Sequence, residues 1–141
     1  MPFEEKRTWI LGITAAVSYA IYAVVVLIRA RDSALTEVAY VAPLLWAIGV
    51  SIAVSIVAAI AVALLSREGD RKDQRDREID RMGSEAGNAF VVLGAIGALA
   101  LALCDGDRFW IANVIYLGFT LSAIVGCAAK VIAYRRGYQP W

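Results

Sequence analysis

Four long apolar runs alternate with short charged segments along the 141-residue chain. The runs cover residues 8–29, 38–66, 86–104 and 109–134. A helix rises about 1.5 Å per residue, so about 20 apolar residues cross the hydrocarbon core of a bilayer. Backbone groups in lipid must be hydrogen-bonded within their own segment, which favours helices. The pattern predicts an all-α, polytopic membrane protein with four transmembrane helices, forming one membrane domain over residues 1–141.

The distribution of lysine and arginine predicts how the chain is oriented. Cytoplasmic segments of membrane proteins carry an excess of these residues. The N-terminal segment, the 67–85 loop and the C-terminal segment together hold eleven of the 14 basic residues, and the two other connections hold three. We therefore expect both termini and the 67–85 loop to lie in the cytoplasm, with the protein in the cell (inner/plasma) membrane.

Small residues recur every four positions in each predicted span, and such stripes allow close helix packing in lipid. This regularity predicts a tight bundle with one smooth stripe on each helix. The stripes are Gly12, Ala16 and Ala20 in the first span; Ser51, Ser55, Ala59 and Ala63 in the second; Gly94, Ala98 and Ala102 in the third; and Gly118, Ser122 and Gly126 in the fourth.

Polar side chains within the fourth span form the candidate intramembrane site. Asn113, Tyr116 and Thr120 lie in its first half, and Lys130 lies near its cytoplasmic end. Tyrosines of the first span are expected at the depth of Asn113, so a hydrogen-bonded cluster is predicted there. Two interpretations remain open for this set: packing contacts between helices, with Lys130 reaching the membrane surface, or the lining of a solute path.

The 67–85 loop is the most distinctive polar segment, because six basic and six acidic residues alternate between positions 67 and 81. Such alternation is typical of either a solvated helix or a disordered linker. Arg77, Glu78, Ile79, Asp80 and Arg81 are the predicted interaction residues, as a polar face beside the only large apolar side chain of the charged stretch. The glycines at 83 and 87 are expected to form the turn into the third span.

Several function classes are disfavoured by composition. The net charge is only +1, so nucleic acid is not an expected partner. The chain has no histidine, and no carboxylate lies inside a predicted span, which argues against proton-coupled transport of the kind that needs one. The two cysteines are predicted to lie too far apart to form a disulfide within one protomer. No catalytic residue, metal site or cofactor is predicted.

Three segments resemble a group of small bacterial four-helix membrane proteins of unknown function. They are DREIDRMG (76–83), FWIANVIYLGF (109–119) and KVIAYRRG (130–137), and the resemblance covers about half the chain. Arg108 stands where that group has a histidine before the FW pair. The resemblance implies a membrane-anchored regulatory role, because such proteins often have a small helix-turn-helix regulator as a genomic neighbour.

The sequence therefore predicts a non-enzymatic membrane protein that acts as an interaction, regulatory or accessory subunit through its 67–85 segment. Besides the lipid bilayer, the expected partners are a cytoplasmic regulator or another membrane protein, with a homodimer as a further alternative. The alternative function is a small-solute or ion transporter or channel that works as an oligomer, with the fourth span lining the path.

Overall fold

The computed structural model describes residues 3–65 and 74–137, which are almost entirely helical. The four long helices are α1 (Phe3–Arg29), α2 (Val41–Leu65), α3 (Gln74–Leu103) and α4 (Arg108–Arg136). A single 3₁₀ turn, Leu35–Glu37, lies between α1 and α2. The predicted all-α class with four helices is confirmed. The first part of the predicted cytoplasmic loop lies outside the described residues.

All four helices are long and apolar enough to cross a membrane, so the chain is a multi-pass membrane protein. The 30 residues of α3 and the 29 of α4 correspond to about 45 Å and 43 Å, which exceeds the roughly 30 Å hydrocarbon core. The excess of α3 lies at its N-terminus, where residues 74–85 are largely polar. The charged segment from Gln74 onward is part of the third helix, which therefore begins twelve residues before the predicted apolar span.

The helices pack in an order that differs from their order along the chain. Helix α3 packs most extensively against α4, α4 also packs against α1, and α1 packs against α2. The spatial order is therefore α2, α1, α4, α3, with α2 and α3 outermost. We call the end where α1 and α3 begin and α4 ends the charged end, and the opposite end the short-loop end.

Glycines bring α3 and α4 into backbone contact over the central part of both helices. A Cβ placed on Gly94 would lie 3.0 Å from the Cα of Gly118, and one placed on Gly87 would lie 2.6 Å from the carbonyl oxygen of Ser122. Close approach of this kind maximises van der Waals contact, which is a main source of helix association in lipid. The predicted stripe of α4, residues 118–126, is confirmed as its contact with α3.

The other predicted stripes fit less well. Gly83 and Gly87 are not turn residues, because both are buried within helix α3 and face α4. The contact stripe of α3 thus extends toward its N-terminus, whereas Ala102 is exposed. On α1, Ala16 and Ala20 are exposed, and the buried positions follow larger polar and aromatic residues instead. Helix α2 packs against α1 but has no fully buried residue: of its predicted stripe, Ser51, Ser55 and Ala59 are half-buried and Ala63 is exposed.

A Schellman motif ends α3 and turns the chain into α4. The amide of Gly106 donates to the carbonyl of Leu101 at 2.7 Å, and the amide of Asp105 donates to that of Ala102 at 3.3 Å. Asp105 has a φ of 54°, a left-handed conformation that aspartate tolerates better than most residues. The tight turn keeps α4 directly beside α3 and sets the register of their glycines.

Candidate interaction surface at the charged end

An ion pair joins α3 and α4 at the charged end. Lys130 Nζ lies 3.1 Å from Asp80 Oδ1, and the two side chains are 22% and 29% exposed. Two residues from separate predicted sites, the intramembrane set and the polar segment, are therefore direct partners. The charge of Lys130 is therefore not balanced by solvent at the membrane surface alone, because the carboxylate of Asp80 on the neighbouring helix neutralises it.

Gly83 makes room for this pair. A Cβ at position 83 would collide with the Lys130 side chain and would lie 2.9 Å from the carbonyl oxygen of Gly126. The absence of a side chain lets the Lys130 methylene stem lie across α3 and reach Asp80, one turn earlier. The fully buried Ile79 packs in the same region, so it belongs to the interior and not to the exposed interaction face predicted for it.

The helix separates the charges of the polar segment by sign. Asp76 and Asp80 are four residues apart, so they share a side of α3, and both are half-buried. The exposed residues include Arg75, Arg77 and Arg81. A segment that is nearly neutral in sequence therefore exposes mainly basic side chains. Arg77 and Arg81, four residues apart, share one side of α3, whereas Arg75, two residues before Arg77, lies on another side.

The exposed arginines differ in their partners. Arg81 Nε lies 2.9 Å from Glu85 Oε1, and both side chains are well exposed. Arg75 and Arg77 make no ion pair within the described part of the chain. Glu78 is half-buried. Of the five predicted interaction residues, Arg77 and Arg81 form the exposed face, and Asp80 is engaged by Lys130.

A cleft of about 310 Å³ opens at the charged end, above the contact of α3 with α4 and beside the start of α1. Its lining carries both signs of charge, two hydroxyl groups and one apolar side chain. The lining residues are Glu4, Arg7, Thr8, Leu11, Asp80, Arg81, Ser84 and Lys130.

A second ionic contact ties α1 to the end of α4. Arg135 Nε lies 3.4 Å from Glu5 Oε1, and the Glu5 side chain is only 8% exposed. The Arg135 guanidinium also lies 5.7 Å from the centre of the Trp9 ring, a cation–π distance. The three helices α1, α3 and α4 are thus linked by charged contacts at one end, which holds the exposed face of α3 on a fixed support.

The rest of the predicted intramembrane set lies near the short-loop end and is packed. The Tyr22 hydroxyl donates to Asn113 Oδ1 at 2.7 Å, and Asn113 Nδ2 donates to the carbonyl of Phe109 at 2.7 Å. Tyr116 stacks against Tyr19 and Tyr22, with ring centres 5.4 Å and 5.2 Å away. The predicted contact between the first and fourth spans is confirmed in part: among these described residues, Tyr22 and Asn113 are hydrogen-bonded between the helices, while Tyr19 and Tyr116 make ring contacts.

The four predicted intramembrane residues do not form one site. Asn113 and Lys130 are 17 residues apart on α4, which corresponds to about 25 Å along the helix axis. Thr120 is buried between them, and the contact with α3 around Gly126 is close enough to leave no room for a Cβ. This geometry favours the packing interpretation over a continuous path along α4.

Sequence reasoning missed the structural roles of Gly83, Gly87 and Glu5. The glycines could have been found, because their spacing continues the Gly94 stripe of α3 toward the N-terminus at helical intervals. Glu5 carries no such signal, since its partner Arg135 is 130 residues away in the sequence.

Comparison with models of known protein families, with curated proteins and with solved structures finds no match for this chain.

Proposed function

We propose that this membrane protein is a non-enzymatic accessory or regulatory subunit that binds a soluble partner through the exposed arginines of α3. The supporting observation is the separation of charge on the helix. Asp76 and Asp80 are half-buried, while Arg75, Arg77 and Arg81 are exposed. A basic face of this kind complements an acidic surface on the partner. We place this end in the cytoplasm, since it carries most of the basic residues.

The position of Arg75 and Arg77 favours a soluble protein over the lipid surface as the target. If the apolar part of α3 begins near residue 86, Arg77 lies about nine residues, or roughly 13 Å, beyond it. The headgroup layer is about 5–8 Å thick on each side of the hydrocarbon core. Arg81 lies at headgroup depth, whereas Arg75 and Arg77 project beyond it.

The test compares two double variants of the tagged, full-length protein purified from native membranes in mild detergent. Arg75→Glu/Arg77→Glu should reduce recovery of a specific partner at least tenfold, while Arg75→Lys/Arg77→Lys should retain it. Arg31→Glu/Arg108→Glu makes the same charge change at exposed positions of the short-loop end and serves as the location control. The partner, once identified by mass spectrometry, should rebind as a purified protein with an affinity that falls as salt rises.

Equal partner recovery by the two Arg75/Arg77 variants would exclude the basic face as the binding surface. Loss of copurifying anionic lipid with unchanged protein recovery would indicate the membrane surface as its target instead. For the alternative function, ion or solute flux in liposomes that depends on Lys130 and Asn113 would favour transport.

A further inference from the structure

The cleft at the charged end lies at the depth of the lipid headgroups. Along α1, Glu4 precedes the first apolar run by four residues, or about 6 Å, and Leu11 lies three residues, or about 4.5 Å, inside it. On α3, Ser84 lies two residues before the third apolar run. The headgroup layer is about 5–8 Å thick on each side of the hydrocarbon core. The cleft lining therefore changes from charged to apolar where headgroups give way to acyl chains.

Two of the cations that line the cleft already have close partners. Lys130 Nζ lies 3.1 Å from Asp80 Oδ1, and Arg81 Nε lies 2.9 Å from Glu85 Oε1. Both distances are those of charge-assisted hydrogen bonds. These contacts shape the cleft, and their charges are balanced within the protein.

Arg7 and Glu4 have hydrogen-bonding capacity left over. Arg7 Nη1 lies 3.8 Å from Glu4 Oε2, which is beyond hydrogen-bond distance, and the two side chains are 32% and 18% exposed. Arg7 Nε is buried and has no hydrogen-bond partner in the described part of the chain. A buried donor without an acceptor is unfavourable, so a ligand that supplies one gains affinity. The two residues are three apart on α1, and both line the cleft.

A guanidinium beside a carboxylate suits a ligand that carries both signs of charge. The planar fork of an arginine binds two phosphate oxygens at once, through Nε and a terminal nitrogen. A carboxylate accepts hydrogen bonds from a primary ammonium group. Phosphoethanolamine has a phosphate and a primary ammonium joined by an ethylene linker, so one headgroup can meet both Arg7 and Glu4.

The opposite wall of the cleft adds a neutral donor. The Ser84 side chain of α3 is exposed, and its hydroxyl makes no hydrogen bond in the described part of the chain. It is available to a phosphate oxygen. The cleft volume of about 310 Å³ is at the lower end of the roughly 300–1,000 Å³ found for small-ligand pockets, which fits a headgroup and not a large cofactor.

The lining disfavours two other common headgroups. The quaternary ammonium of phosphocholine has no N–H to donate and is recognised by aromatic rings, and none of the described residues that line the cleft is aromatic. Phosphatidylglycerol has a phosphate but no cation. Its headgroup would leave Glu4 without a partner and would add a negative charge beside that carboxylate.

We propose that the cleft binds the headgroup of one phosphatidylethanolamine molecule, with its phosphate on Arg7 and Ser84 and its ammonium on Glu4. The acyl chains then enter the bilayer past Leu11. The bound lipid connects α1 with α3, two helices that share few direct contacts. The site does not require the proposed function, because Arg75 and Arg77 do not line the cleft.

Native mass spectrometry of the full-length protein in mild detergent tests the site. With phosphatidylethanolamine, phosphatidylcholine and phosphatidylglycerol of the same acyl chains in equal amounts, the wild type should retain phosphatidylethanolamine at least five times more than either other lipid. Ser84→Phe fills the cleft without removing a charge and should lower this retention at least tenfold. Asn88→Phe adds the same ring at an exposed position one turn further along α3, outside the cleft, and should retain the lipid. Equal retention of the three lipids, or equal losses in the two variants, would overturn the proposal.

Two further variants separate the two ends of the headgroup. Arg7→Gln should lower retention of phosphatidylethanolamine and phosphatidylglycerol alike, because both lipids carry a phosphate. Glu4→Gln should reduce the preference for phosphatidylethanolamine over phosphatidylglycerol at least threefold, and an unchanged preference would overturn the ammonium contact. Arg75→Glu/Arg77→Glu should retain the lipid as the wild type does, so failure of the proposed function is distinguishable from failure of the lipid site.

A competition experiment distinguishes the lipid from a soluble phosphate compound. Inorganic phosphate and free phosphoethanolamine, each at millimolar concentration, should leave the bound phosphatidylethanolamine in place, since neither has acyl chains to occupy the apolar side of the cleft. Displacement of the lipid by either compound would show that the cleft takes a soluble ligand and would overturn its assignment to a lipid.

Discussion

Lys130 of α4 and Asp80 of α3 form an ion pair of 3.1 Å across a glycine, and this contact fixes the charged end of the bundle. The pair explains why a lysine is tolerated near the end of an apolar helix. It also explains why Asp80 faces inward while Arg77 and Arg81 remain outside.

Neutralising one residue of this pair should destabilise the bundle, because the other charge would lose this partner while it stays half-buried. We expect Asp80→Asn and Lys130→Met each to lower the free energy of unfolding by about 1.5–3 kcal/mol, the range for hydrogen bonds to charged groups. Thermal unfolding in detergent measures the change. The double variant Asp80→Asn/Lys130→Met should recover part of the loss. Additive losses in the double variant would show that the two residues do not interact.

The close contact of α3 with α4 predicts opposite outcomes for two glycines. Gly87→Ala should lower stability by about 1–3 kcal/mol, because its methyl group would press against the backbone at Ser122 and force the helices apart. Gly49→Ala is the matched control on α2, since a Cβ there meets nothing within 4 Å. It should leave stability unchanged or raise it, given the better helix propensity of alanine. The melting temperatures of the two variants in the same detergent measure this difference in stability. Similar decreases in both variants would contradict the described contact between α3 and α4.

The hydroxyl of Tyr22 should contribute measurably to stability, because it donates to Asn113 between α1 and α4. Tyr22→Phe should cost about 0.6–1.7 kcal/mol, the range measured for hydrogen bonds between membrane helices. Tyr19→Phe removes a hydroxyl that makes no hydrogen bond in the structure and should have a smaller effect. Unfolding titrations in mixed micelles compare the two variants. An equal or larger loss for Tyr19→Phe would show that the hydrogen bond from Tyr22 to Asn113 adds no stability of its own.

The proposed orientation can be tested with the native cysteines. Cys104 is exposed at the short-loop end, whereas Cys127 is partly buried beside Gly12. A membrane-impermeant maleimide added to intact cells should therefore label the wild-type protein but not the Cys104→Ala variant. Labelling that appears only after the cells are broken would reverse the proposed orientation.

The number and class of the helices could be predicted from sequence because hydrophobic length alone determines them. The α4 stripe and the contact of Tyr22 with Asn113 were also predictable, since helical spacing and depth place these residues. The helix order could not be predicted. Helix α2 is the most apolar of the four helices and α4 the least, which agrees with their outer and inner positions, but hydropathy does not say which helices are neighbours.

The interaction residues were only partly predictable for a different reason. Charge alternation alone does not set which side of a helix faces the bundle, and the segment was open to a disordered interpretation as well. The position of Gly83 and the packing of Ile79 determine which side of α3 faces the bundle, and they orient the helix so that Asp80 faces Lys130. Without that rotation, Asp80 and Arg81 are equivalent members of one polar surface.

The spatial order of the helices also constrains how the protein is made. The hydrogen bond between Tyr22 and Asn113 joins residues 91 positions apart, and the contact between Glu5 and Arg135 joins residues 130 apart. Neither contact can form until α4 has been synthesised. Until then, α1 lies in the bilayer beside α2, and Tyr22 and Glu5 lack these two partners. The contacts that link the α1–α2 pair to the α3–α4 pair are therefore made last, when α4 packs against α1.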